Sequence, residues 1–128
     1  MSAYRTASLD ELAAEKWPYW APIRHHFGIE TFGINAWRGR DDGTVIPEHS
    51  ETESGAPELY IVIGGHATFA IDGEQIDAPT GTLVWIEPAA TRSATAIEDG
   101  TVVLSIGAAA PGEAFTPAGR DSQYLGGA

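Results

Sequence analysis

With 128 residues, 43% apolar and 20% charged, the chain has the length and composition of one globular domain with a single core. Its formal net charge of −11, from 18 acidic against seven basic side chains, argues against nucleic acid or an anionic membrane as partner. The absence of cysteine excludes disulfides and thiol catalysis, and no apolar run approaches a membrane span or a signal-peptide core, so a cytoplasmic protein is expected.

Residues 8–16 read as a short helix: Ser8 and Glu11 have capping-box spacing, Leu9, Leu12 and Ala13 share a face, and Pro18 ends the run. The segment 17–27 carries Trp17, Tyr19, Trp20 and Phe27 with Pro18 and Pro22. So much aromatic surface is expected to pack on its own chain or on a second copy, with a pocket lid as the alternative. The adjacent pair His25-His26 would point to opposite sides of an extended segment, which disfavours a shared metal.

From residue 29 the periodicity changes from helical to strand-like. Strands are predicted at 30–37, 44–49, 58–63, 66–72, 74–77, 82–86, 92–97 and 101–106, broken by Gly, Pro and Asp-Gly turn formers. The stretch 58–72 organises the rest, with two β-prone runs flanking Gly64-Gly65. That pair predicts a tight hairpin with positive φ at both glycines. The two-residue period puts Glu58 on the same side as Tyr60 and Val62, so its carboxylate should sit at the mouth of the fold or face a partner. Many short strands at even spacing imply an antiparallel sandwich or barrel. The chain thus divides into a helix and aromatic arm (1–29), a β body (30–107) and an Ala-, Pro- and Gly-rich extension (108–128).

Turns and charged residues together resemble the cupin family, small β-barrels of jelly-roll type. The family's first motif reads G-x5-H-x-H-x3,4-E-x6-G. Here Gly43, His49 and Glu51 reproduce its start, with Glu51 where the second His would stand, and Glu58 and Gly65 reproduce its end, across a 51-to-58 loop about two residues longer than the pattern. The second motif, G-x5-P-x-G-x2-H-x3-N, is more worn: Gly81 fits, but Glu87, Ala89, Arg92 and Ala96 stand at the Pro, Gly, His and Asn places. The resemblance covers about residues 30–107 and extends to small bacterial single-cupin proteins. It implies an all-β, cupin-type jelly-roll barrel with a short N-terminal helix.

In cupins that keep every motif ligand, three His and one Glu hold a divalent metal. Carried over, the resemblance offers His49, Glu51 and Glu58 as ligands for Zn, Fe, Mn, Ni or Cu and loses the fourth to Arg92. A guanidinium stays protonated and cannot ligate a metal. It can instead satisfy the carboxylates directly, and this metal-free arrangement is the favoured expectation. Arg92, Tyr60 and Glu58 are then the ligand-binding candidates. The Tyr60 hydroxyl either touches a ligand or is satisfied within the core. His66 reads as a solvated turn residue, Trp85 as a packing residue between sheets or across a dimer, and Glu48 and Glu53 as surface charges.

Three functions stay open: binding of a small polar or anionic molecule in a metal-free or metal-optional pocket; a divalent-metal-dependent enzyme of oxygenase or isomerase type; and a non-catalytic accessory scaffold. A homodimer is also expected, because so short a jelly roll leaves edge strands that the arm residues Trp17, Tyr19 and Trp20 could cover, across the dimer or within the chain.

Overall fold

The computed structural model describes residues 3–12 and 18–108. Of these, 48% are strand and 9% helix, as a β-dominated fold requires. The elements are α1 (Leu9–Leu12), β1 (Trp20–Ala21), α2 (Ile23–Phe27), β2 (Gly33–Arg38), β3 (Thr44–His49), β4 (Glu58–Gly64), β5 (His66–Ile71), β6 (Glu74–Pro79), β7 (Leu83–Ile86), β8 (Arg92–Ala96) and β9 (Val102–Gly107). They form two antiparallel sheets, one ordered β1-β2-β9-β4-β7 and the other β3-β8-β5-β6.

One core lies between the sheets. It takes Val45 and Ile46 from β3, Tyr60 and Val62 from β4, Ala67 and Phe69 from β5, and Ala78, Val84, Ile86, Ala94 and Val103 from the remaining strands. The inward residues alternate along β4, β5, β7 and β9, as the strand period dictates. Strand β3 departs from alternation: its ladder with β8 shifts register between Thr44 and Ile46 and again between Ile46 and His49, and Val45 and Ile46 are both buried. Such irregularities bend a strand and re-aim its last side chains.

The predicted Gly64-Gly65 hairpin does not form. Strand β4 pairs with β7 and β9, while β5 pairs with β6 and β8, so the two runs belong to different sheets. Gly65 is a corner residue, and it alone of the pair has positive φ, at 70°. A Cβ there would lie 2.5 Å from Thr101 Oγ1 and 2.6 Å from Thr101 Cα, so the corner closes only around a hydrogen. The tight hairpin is instead β5–β6, where Asp72 (φ 49°) and Gly73 (φ 85°) give the two positive φ angles of a type I′ turn.

At the N-terminus the capping box is present: Ser8 N donates to Glu11 Oε1 at 2.7 Å and Glu11 N donates to Ser8 Oγ at 3.3 Å. Residues 13–16 of the predicted helix, Trp17 and residues 109–128 lie outside the described residues. The end of the arm packs on its own chain. Trp20 pairs with Trp37 and Ala21 with Ala36, and Trp20 is 2% exposed with its ring 6.2 Å from that of Trp37. Where an extended segment was expected, residues 23–27 form α2, ended by Gly28 in the left-handed conformation. His25 and His26 therefore stand on one helical turn, both exposed. No helix among the described residues is long and apolar enough to cross a membrane.

Candidate functional site

The ionisable residues singled out in the sequence meet at one end of the fold. His49 ends β3 and is the ladder partner of Arg92, which begins β8; Glu58 begins β4, with Tyr60 two residues inward. Glu51 does not arrive on a strand. It stands beyond the end of β3, in the loop that leads into a turn, so no strand alternation carries it to the face of His49. That loop is pinned by Glu51 N donating to Pro88 O at 2.8 Å and Gly55 N donating to Glu51 O at 2.8 Å. Ser54 Oγ then donates to Glu51 Oε2 at 3.2 Å, which aims the carboxylate.

Arg92 is the most enclosed member, with a side-chain exposure of 0%. Its Nη1 donates to Glu58 Oε1 at 2.7 Å, its Nη2 to Glu87 O at 2.8 Å and Ala90 O at 3.1 Å, and its Nε to Ala90 O at 3.2 Å. The carbonyls come from the turn that carries the worn second motif. This turn is folded around a guanidinium, at the position where the motif resemblance would expect a histidine.

Glu58 Oε1 also accepts from the Tyr60 hydroxyl at 2.6 Å and lies 3.8 Å from His49 Nε2. Burial works to raise the Glu58 carboxyl, but hydrogen bonds from His49 and Tyr60 and the charges of His49 and Arg92 outweigh it, leaving its pKa below the ordinary value. Burial and the Glu58 charge hold the Tyr60 hydroxyl well above its usual range, so it donates.

His49 Nδ1 lies 2.7 Å from Pro47 O. A carbonyl only accepts, so Nδ1 carries a proton and Nε2 is the atom turned to Glu51 Oε1, 3.0 Å away. A bare lone pair there would face carboxylate oxygen, so Nε2 either carries a proton or faces a cation. Burial disfavours the charged ring, but the hydrogen bonds to Glu51, Glu58 and Pro47 prevail and push its pKa up to about 10. With His49 protonated, two cations face two anions and the cluster is neutral.

The same residues could hold a metal ion, since one donor atom from each of His49, Glu51 and Glu58 lies within 4.8 Å of the others. One imidazole and two carboxylates suit a divalent ion. The Nδ1 bond to Pro47 is the kind of outer contact that orients a histidine ligand. Against this, the Arg92 guanidinium already neutralises Glu58 and would repel a second cation.

The remaining candidates lie elsewhere. Glu48 and Glu53 are exposed, and His66 pairs with Asp77 at 2.6 Å on the other sheet. Trp85 is 59% exposed on the outer surface. A surface hollow of about 410 Å³ opens at the opposite end of the fold, lined by Arg38, Arg40, Asp41, Glu98 and Asp99 among others. Its charges are of mixed sign and Arg38 is tied to Asp10 at 2.8 Å, so the convergent chemistry is at the His49 end. Sequence reasoning missed Ser54, the two carbonyls that cage Arg92, the Pro47 carbonyl against His49, and Asn35, whose buried Oδ1 accepts no hydrogen bond in the structure. Asn35 shares the inward row of Ser105 and Tyr60, and the next row outward places Gly33 and Gly107 beside Glu58.

No family model and no curated protein matches the chain. Solved structures do. A cupin protein from Bacteroides fragilis is similar over 91% of this chain and 93% of its own, at 21% identity and a TM-score of 0.67. An RmlC-like cupin from Desulfovibrio desulfuricans is 25% identical over 62% of this chain and 73% of its own, with a TM-score of 0.54. KdgF from Halomonas sp. is 16% identical over 65% of this chain and 73% of its own, with a TM-score of 0.55. This chain is a cupin by fold. His49, Glu51, Glu58 and Arg92 lie together at one end of this fold.

Proposed function

We propose that this cupin-fold chain binds a small polar molecule at the His49 end of the barrel, without needing a metal. The observation that carries the reading is the buried Arg92, whose charge and Nη1 hydrogen bond give Glu58 what it would otherwise take from a metal, while three further bonds to the carbonyls of Glu87 and Ala90 hold the guanidinium in place. The ligand's charge is met by other groups, because Arg92 is enclosed. His49, Glu51 and Glu58 keep 34%, 19% and 18% side-chain exposure, so one donor and two acceptors face it. Gly33 and Gly107, which carry no side chain, stand beside Glu58 in the same cross-strand row. A molecule rich in hydroxyl or amino donors fits this set better than a carboxylate, whose only mobile counter-charge would be His49.

A native-state ligand raises apparent stability. Thermal unfolding in the presence of small polyols, amino compounds and carboxylates should therefore show stabilisation by donors that is lost in Glu51→Ala. Stabilisation by carboxylates alone would overturn this preference.

A second reading is supported by the three clustered donor atoms and the Pro47-oriented imidazole. If a divalent metal binds, His49, Glu51 and Glu58 hold it, and it would supply Lewis-acid chemistry to a substrate oxygen. In that case His49 is neutral at Nε2, and Arg92 remains the counter-charge to Glu58. Near-stoichiometric metal in protein purified without added metal would favour this reading.

A further inference from the structure

One buried side-chain oxygen among the described residues has no donor, the Oδ1 of Asn35. Asn35 lies on β2 in a cross-strand row with Ser105 and Tyr60, both of which are buried between the sheets. The row therefore places its carboxamide on the inner face of the five-stranded sheet. The neighbouring donors are already committed. Trp37 Nε1 donates to Ser105 Oγ at 2.9 Å, the Ser105 hydroxyl donates to the main-chain oxygen of Asn35 at 3.4 Å, and the Tyr60 hydroxyl donates to Glu58. A carboxamide oxygen left bare in a core costs stability, so an apolar residue would serve the fold better here.

Between Asn35 and the His49 end of the barrel, the next row on β2 and β9 is Gly33 and Gly107, which carry no side chain, and it ends at Glu58. A Cβ at Gly107 would meet only Glu58 Cγ among the described residues, at 3.9 Å. Asn35 is itself half-buried rather than sealed. The two ends of a carboxamide exchange by a half-turn about Cβ–Cγ, a torsion with broad preferences. The oxygen can thus turn toward a donor that arrives from the Glu58 side.

We propose that Asn35 is a second anchor for the molecule bound at the His49 end, reached across Gly33 and Gly107. This inference rests on the barrel-binding function proposed above and adds the size of the ligand to it. Two strand spacings across and two residues along put the Cα atoms of Asn35 and Glu58 about 12 Å apart. Their side chains shorten that span but leave a gap of several ångströms. A short-chain compound such as glycerol does not bridge it, whereas a cyclic polyhydroxylated molecule does. Such a ring carries donors on both edges, for Glu51 and Glu58 on one side and Asn35 Oδ1 on the other. Its hydroxyl oxygens also accept from the carboxamide nitrogen, so Asn35 selects a partner that both donates and accepts.

The test uses the full chain, with myo-inositol and glucosamine as ring-sized probes and glycerol and ethanolamine as short ones. Melting temperature is followed at millimolar concentrations, where stabilisation by exclusion of polyols from the surface is small. A ring-sized probe should stabilise wild type saturably. Glu51→Ala should abolish that effect, and Asn35→Leu should weaken the apparent affinity by about tenfold or more. The weaker effect of a short probe should be the same in wild type and Asn35→Leu. Without probe, the urea midpoint of Asn35→Leu should equal or exceed that of wild type, and Asn35→Val replaces it if leucine is not accommodated. A ring-sized probe that needs Glu51 but binds Asn35→Leu undiminished overturns this inference and leaves the barrel-binding function standing. A lower urea midpoint in both Asn35 variants also overturns it, because the carboxamide then holds the fold. Failure of every probe to stabilise wild type overturns the barrel-binding function and this inference together.

Discussion

Arg92 sets the character of the candidate site. Its side chain is wholly buried, it compensates Glu58, and it fills the carbonyls of Glu87 and Ala90. Arg92→Ala would strand a carboxylate and two carbonyls, and should cost about 3 kcal/mol in urea unfolding, the usual penalty for breaking a buried pair from one side. His49 gives the pH dependence. Its folded pKa of about 10 lies above the ordinary 6.5, so its stabilisation is complete below pH 6.5 and is lost as pH rises toward 10. Glu58 is shifted the other way, from an ordinary 4.5 downward, so its contribution is complete above pH 4.5 and is lost as acid protonates it. The urea midpoint should therefore fall from pH 6.5 to 10 in wild type, and His49→Gln should flatten that limb. The fall will be modest because His49 is a third exposed and solvent screens it. His49, Glu58 and Arg92 were legible in the sequence because motif spacing marks them. Ser54 and the carbonyls of Pro47, Glu87 and Ala90 were not, because a backbone acceptor's role depends on how its turn folds.

Among the elements, the corner at Gly65 carries the sharpest prediction. Gly65→Ala adds a Cβ into Thr101 at a positive φ, so overpacking and backbone strain act together and should cost about 2 kcal/mol or more. Gly55 has a similar φ of 68° but nothing within 4 Å, so Gly55→Ala reports the backbone cost alone, about 1 kcal/mol. Equal losses in chemical unfolding would mean that the Thr101 contact is not the constraint. The strand limits of β3 to β9 were readable to within two residues because alternation and turn formers are local signals. Pairing is not local. A Gly-Gly between two strands suits a hairpin and a sheet-to-sheet corner equally, and only Thr101, thirty-six residues on, decides between them. For α2 the prolines and aromatics suggested an extended arm, yet five residues sufficed for a helix once Gly28 could close it.

For the molecule as a whole, the charge of −11 and the neutral cluster at the barrel end act in opposition. The general negative field attracts cations to the surface, whereas Arg92 keeps the one clustered donor set among the described residues from needing a cation. Weak, salt-sensitive metal binding is thus expected of the surface and does not bear on the site. The substitution Arg92→His puts a histidine where the motif resemblance would expect the fourth metal ligand. Calorimetric titration of zinc into wild type and Arg92→His, at a salt concentration that suppresses surface binding, tests the metal-free reading most directly. Wild type should bind weakly, and Arg92→His at least about tenfold more tightly, a gain of about 1.4 kcal/mol. Tight stoichiometric binding by wild type, unchanged in Arg92→His, would contradict the account.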